Sequence, residues 1–157
     1  MTRLIFTLAV LAIPAGNAFA QQLEFINPPG LSTPRTYTHV VKAGNLLFIA
    51  GQVAIDDTGK AVGATMAEQL DRALTNLETA LKSQGADWSH VAKTTIFTTS
   101  VTEFSAPDAV AVRSRHLGQH KPASTLVQIQ QLANPQFKVE VEAIAVLPAA
   151  AGRAGGR

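Results

Sequence analysis

Between Thr65 and Gln84 the chain carries a helix signal that a strand cannot reproduce. Met66, Leu70, Leu74, Leu77 and Leu81 recur at three- and four-residue spacing and fall on one stripe, while Thr65 and Glu68 form a capping-box pair at its start. Gly85 supplies the stop. A helix with one apolar stripe must lay that stripe on another apolar surface, and the runs on either side of it read as strands. The stripe is therefore core packing and not a cofactor box.

Upstream, Tyr37 to Val41 alternates in strand fashion, Gly44-Asn45 turns the chain, and Leu46 to Ala50 is a short apolar strand, so the pair reads as a hairpin. Gly51 ends its second strand, a place where the missing side chain lets another group come close. Asp56 to Lys60 is a turn by composition. Downstream, Val91 to Thr99 is rich in β-branched residues and reads as a strand. A second, shorter helix runs from about Ser105 to Leu117, with Pro107 tolerated in its first turn and Gly118 at its end. Ser114, Arg115 and His116 weaken its apolar face.

The last regular segment holds two β-rich runs, Lys121 to Ile129 and Phe137 to Val146. They are joined by the polar link Leu132 to Gln136, the sequence form of a hairpin with a longer loop. In the second run Val139, Val141, Ala143 and Ala145 point one way and Glu140, Glu142, Ile144 and Val146 the other. Alternation alone leaves two roles open for the glutamates, a solvated strand face or a site. The order β-β-α-β-α-β-β predicts an α+β domain, with two helices on one face of a mixed sheet.

The ends are set apart. Arg3, the apolar run Leu4 to Ile13 and the small-x-small triplet Ala18-Phe19-Ala20 make up the three parts of a signal peptide over residues 1–20. The apolar run is shorter than the ~20 residues a membrane-spanning helix needs, so the expectation is export, to a bacterial periplasm, with no membrane contact by the mature form. Residues 21–33 read as an extended, proline-bearing lead-in, 34–147 as the domain and the Ala/Gly-rich 148–157 as a disordered tail. Loss of Arg3 takes the formal net charge from +2 to +1, too weak a field to point to nucleic acid.

Chemistry is bounded mainly by exclusion. There is no cysteine, which removes thiol catalysis, disulfides and thiolate-bound metal. His116 and His120 stand four apart but Gly118 lies between them, so no metal is expected. His39 is either a cleft residue or part of a sheet surface, and His90 reads as the structural start of a strand. No Gly-x-Ser-x-Gly elbow, Walker loop or Gly-x-Gly-x-x-Gly is present.

Taken in order, several segments resemble the RidA/YjgF family of enamine/imine deaminases: Gly44 to Gln52, Gln69 to Leu77, Val91 to Phe97, Phe104, Pro122-Ala123 and Val139 to Ala145. The resemblance spans about Tyr37 to Val146. It implies a chorismate-mutase-like fold, a homotrimer with clefts between subunits, and hydrolysis of small imines such as 2-iminobutanoate or 2-iminopropanoate without cofactor. Carried over by position, Glu140 is the catalytic glutamate, and Tyr37, Gly51, Ser124, Thr125 and Leu126 form the substrate site. Ser124 stands where the family's substrate-binding arginine follows Pro-Ala, which implies impaired or altered activity. The alternative is a non-catalytic ligand-binding or protein-protecting trimer. Ala50 and Asp108 are milder departures. Lys121 and Arg35 are the cations close enough in sequence to substitute, whereas Arg113 and Arg115 are expected in solvent or at a subunit contact.

Overall fold

The computed structural model describes residues 22–148. The segment expected to be a signal peptide and the tail beyond Pro148 lie outside the described residues. Six strands form one mixed sheet: β1 (Leu23–Ile26), β2 (Val40–Ala43), β3 (Leu46–Gln52), β4 (Val91–Thr98), β5 (Ala123–Gln128) and β6 (Val139–Val146). Their spatial order is β1-β2-β3-β6-β4-β5. Helices α1 (Met66–Lys82), α2 (Val101–Phe104) and α3 (Pro107–Leu117) accompany it, and a short 3-10 turn at Trp88–His90 leads into β4.

α1 forms as its sequence dictates. The Thr65 hydroxyl accepts from the Glu68 amide at 3.2 Å, and the Glu68 carboxylate accepts from the Thr65 amide at 3.0 Å, closing the capping box. Leu70, Leu77 and Leu81 are fully buried against Val40, Leu47, Val139, Val141 and Ala145 of the sheet. The alternation in β6 is as read, with Val139, Val141, Ala143 and Ala145 all buried on the helix side.

Five expectations need correction. The two C-terminal runs do not form a hairpin. β5 pairs parallel with β4, and β6 inserts antiparallel between β3 and β4. β6 carries a fully apolar inner face and needs ladder partners on both edges, whereas every residue of β5 is exposed, which suits an edge strand. The lead-in contains a strand of its own, since β1 pairs antiparallel with β2. The strand expected from Tyr37 begins only at Val40, because the His39 amide is taken by the Asn27 side chain at 3.0 Å instead of a ladder carbonyl. The second helix is likewise two pieces, α2 and α3, and His90 closes the 3-10 turn that precedes β4.

α3 is held to α1 by polar contacts where its apolar face is thin. The His116 ring, 11% exposed, places Nδ1 at 2.7 Å from Glu78 Oε1 and Nε2 at 2.9 Å from Asp71 Oδ1. Hydrogen bonds from His116 and Arg115 hold the Asp71 carboxyl below the usual range, burial opposing them less strongly than the His116 bond. At Glu78 burial is the largest single influence and pushes upward, yet the bonds from His116 and Trp88, with the charges of His116 and Lys82, together outweigh it and the carboxyl also ends low. A carboxyl lowered in the folded state adds stability above its unfolded value that is lost as pH falls through the folded one. His116→Ala is therefore expected to lower unfolding free energy by about 1–3 kcal/mol, and to flatten the acid limb of a stability-versus-pH curve measured by denaturant titration.

Candidate functional site

The sheet face turned away from the helices carries the residues that β6 leaves outward. Glu140 lies opposite Phe97 and Glu142 opposite Thr95, both on β4. The β3–β6 register jumps between Ile49 and Gln52, so Ala50 and Gly51 bulge out of the ladder beneath Glu140. A Cβ on Gly51 would lie 2.6 Å from Glu140 Cδ and 2.8 Å from its Cγ. The glutamate side chain thus folds directly onto the Gly51 backbone.

That bulge is fixed from the inside. Gln52 Nε2 donates to the Ala50 carbonyl at 2.8 Å and to His39 Nδ1 at 3.2 Å. An amide nitrogen only donates, so His39 Nδ1 accepts and its Nε2–H donates to the Ser32 carbonyl at 2.7 Å. His39 is therefore a buried, doubly satisfied ring, neither sheet surface nor cleft residue. Its ring meets Tyr37 edge-on, with centroids 5.6 Å apart.

Glu140 has no hydrogen-bond donor among the described residues and is half-buried. Burial first, and the nearby Glu142 second, hold its carboxyl above the usual range. Tyr37 is raised too, by burial and then by the charge of Glu140, so its hydroxyl keeps its proton. Tyr37, Gly51 and Glu140 are thus brought near one another, Gly51 against the Glu140 side chain and Tyr37 close enough to feel its charge, with no hydrogen bond between them.

The remaining predicted residues divide. Thr125 is on the same open face but further along it, with Lys93 Nζ at 3.4 Å from its hydroxyl. Ser124 faces the helix side, where its hydroxyl accepts from Thr94 Oγ1 at 3.2 Å. Ser124 and Leu126 line a cavity of about 320 Å³ bounded by α1, α3 and β5. In one protomer, then, Glu140 and Ser124 sit on opposite faces of the sheet and share no cleft.

Of the suspected cations, Lys121 lines that cavity and Arg35 does not. Arg115 is at the surface, paired with Asp71 at 2.9 Å. Arg113, assigned to solvent or a contact by sequence, instead lines the cavity. The signal for it was present: Arg113 lies four residues from both Ala109 and Leu117, on the inward stripe of α3. His116 and His120 point to separate partners, the latter donating through Nε2 to the Val91 carbonyl at 2.7 Å.

The family model described as Endoribonuclease L-PSP matches residues 30–147. The chain belongs to the RidA/YjgF family. Among its RidA/YjgF relatives is a RutC family protein of Pyrococcus abyssi, 34% identical over 69% of this chain and 84% of that protein. Another is Reactive Intermediate Deaminase A, chloroplastic, of Arabidopsis thaliana, 30% identical over 88% of this chain and 72% of that protein. A crystal structure from Thermotoga maritima, 35% identical, superposes with a TM-score of 0.71 over 79% of this chain and 96% of that one. The α+β fold expected for RidA/YjgF proteins is thereby shown.

Proposed function

We propose that this RidA/YjgF protein hydrolyses small reactive imines and enamines, of the 2-iminobutanoate and 2-iminopropanoate type, in a cleft completed between copies of a homotrimer. The observation that carries this is Glu140: half-buried, without a donor, raised above the ordinary carboxylate range and seated on Gly51 beside Tyr37. A carboxylate so placed accepts a proton from water as the water oxygen bonds to the C=N carbon. That proton passes to the imine nitrogen to give a carbinolamine; the hydroxyl proton then moves through Glu140 to the same nitrogen as the C–N bond breaks, leaving a carbonyl compound and ammonia. No metal or organic group is needed for that balance.

Assembly is supported by two features. The helix-free sheet face exposes Phe25, Phe48 and Val146, an apolar surface that a second copy would cover. Glu140 and Ser124 can meet only if they come from different protomers. The first 20 residues support export to the periplasm, and N-terminal sequencing of the protein recovered from an expressing bacterium tests it, an unprocessed Met1 being the contrary result. A cavity of metabolite size and a formal net charge of +2 favour a small molecule over RNA.

Ser124 favours a second reading, a trimeric module that binds a small ligand without turning it over. One neutral hydroxyl replaces a two-pronged cation, a loss on the order of tenfold in affinity for a carboxylate. Ammonia release from freshly generated 2-iminobutanoate separates the two. Turnover abolished by Glu140→Gln supports the enzyme; no turnover by the parent, with activity gained in Ser124→Arg, supports the module.

A further inference from the structure

We infer that the cavity between α1, α3 and β5 is an anion-binding pocket anchored by Arg113, and that it selects a small monocarboxylate with a branched or aromatic body. The Arg113 guanidinium lies 4.1 Å over the centroid of the Phe104 ring and donates through Nη1 to the Phe104 carbonyl at 2.6 Å. It has no carboxylate partner among the described residues, although Arg115 and His116 on the same helix are both paired with acids. No buried side-chain nitrogen is left without a partner among the described residues, so the Nε and Nη2 edge, which has none among those residues, reaches solvent. A guanidinium keeps its charge at any working pH, even where burial works against it. An unpaired, partly desolvated fork of N–H groups therefore has a matching partner in an incoming carboxylate.

The rest of the wall agrees in sign and character. Lys121 and His120 line the cavity and no aspartate or glutamate does. Ser124 accepts from Thr94 and keeps its own hydrogen to donate. Trp88 has its Nε1–H committed to Glu78 at 2.7 Å, so toward the cavity it offers only an apolar ring. Leu74, Ile96 and Leu126 complete an apolar lining that a two- or three-carbon acid leaves unfilled. The cation lost from β5 is thus supplied from α3, one strand-to-helix step away.

This assignment rests on the imine reading only for the identity of the natural ligand, and it narrows that ligand from 2-iminopropanoate and 2-iminobutanoate to imino acids with a larger apolar body. It is tested by calorimetric titration of the purified protein with 4-methyl-2-oxopentanoate, phenylpyruvate, pyruvate and the uncharged 4-methylpentanamide. The two bulky carboxylates are expected to bind about tenfold or more tighter than pyruvate or the amide. Arg113→Met should weaken them by at least about tenfold, Lys121→Met by no more than about threefold, and Arg113→Met with Ser124→Arg should recover binding. Such recovery is a readout that loss of folding would not give, and thermal unfolding of each variant checks the fold directly. Unchanged binding in Arg113→Met, failure of the double variant to recover it, loss confined to Lys121→Met, or no binding of any carboxylate by the parent overturns the pocket. Binding that depends on Arg113 in a protein that turns over no imine upholds the pocket and ends the hydrolysis reading; turnover with binding indifferent to Arg113 does the reverse.

Discussion

Glu140→Gln is expected to slow imine hydrolysis by about 10²–10⁴-fold, with little change in the binding of a 2-oxo acid. The amide keeps the shape of the side chain and its seat on Gly51 but can no longer accept a proton from water. The same substitution should not destabilise the fold, and the sign follows from the titration. A carboxyl raised in the folded state contributes stability below its unfolded value, near pH ~4.3 for a glutamate, and loses it as pH rises through the folded value. At neutral pH the parent therefore carries an unpaired, half-buried charge beside Glu142 that the variant lacks. Thermal unfolding is expected to show the variant equal to or above the parent at neutral pH, the difference vanishing in acid. A variant with full activity would remove Glu140 from the chemistry.

Gly51→Ala is the second large effect. The backbone there needs no positive φ, so the glycine is required for room and not for its conformational freedom. An added methyl would overlap the Glu140 carboxyl and stand 2.6 Å from its Cδ, so the carboxylate must swing away. A displacement on the order of an ångström costs about 10²-fold in rate. Glu140 is only half-buried and can rotate outward, so the stability cost stays at about 1–2 kcal/mol. A double-mutant cycle isolates the contact, because Gly51→Ala should cost much less stability once Glu140 is also alanine. Equal costs in both backgrounds would show that the clash does not govern the site.

Much of this was legible before any coordinates. The α1 stripe and its cap are local signals, and so is the alternation that turns Glu140 outward; each needs only the period of its own element. Pairing was not legible. Sequence adjacency joined the two C-terminal runs into a hairpin, but β6 has room for a partner on each edge, and it is the exposure of β5 that sends that strand to the rim. β1 escaped for the same reason, since Leu23 and Phe25 are both largely exposed and leave no buried alternation to read. His39 was ambiguous because its donor and acceptor partners, Gln52 and Ser32, come from a bulge and a loop that periodicity does not place. Arg113 was misplaced because a cation is ordinarily assigned to solvent, and only its spacing from Ala109 and Leu117 hinted otherwise.

The division of the site between copies of the chain is most directly tested by mixing two inactive variants. Glu140→Gln lacks the proton acceptor, while Ser124→Asp puts a negative charge in the carboxylate pocket on the other face of the sheet. Refolded together, equal amounts should regain activity, because about a quarter of the contacts in a randomly assembled ring join an intact Glu140 to an intact Ser124. Activity that stays at the level of the separate variants, in assemblies verified to be mixed, would place the whole site within one protomer and contradict the account.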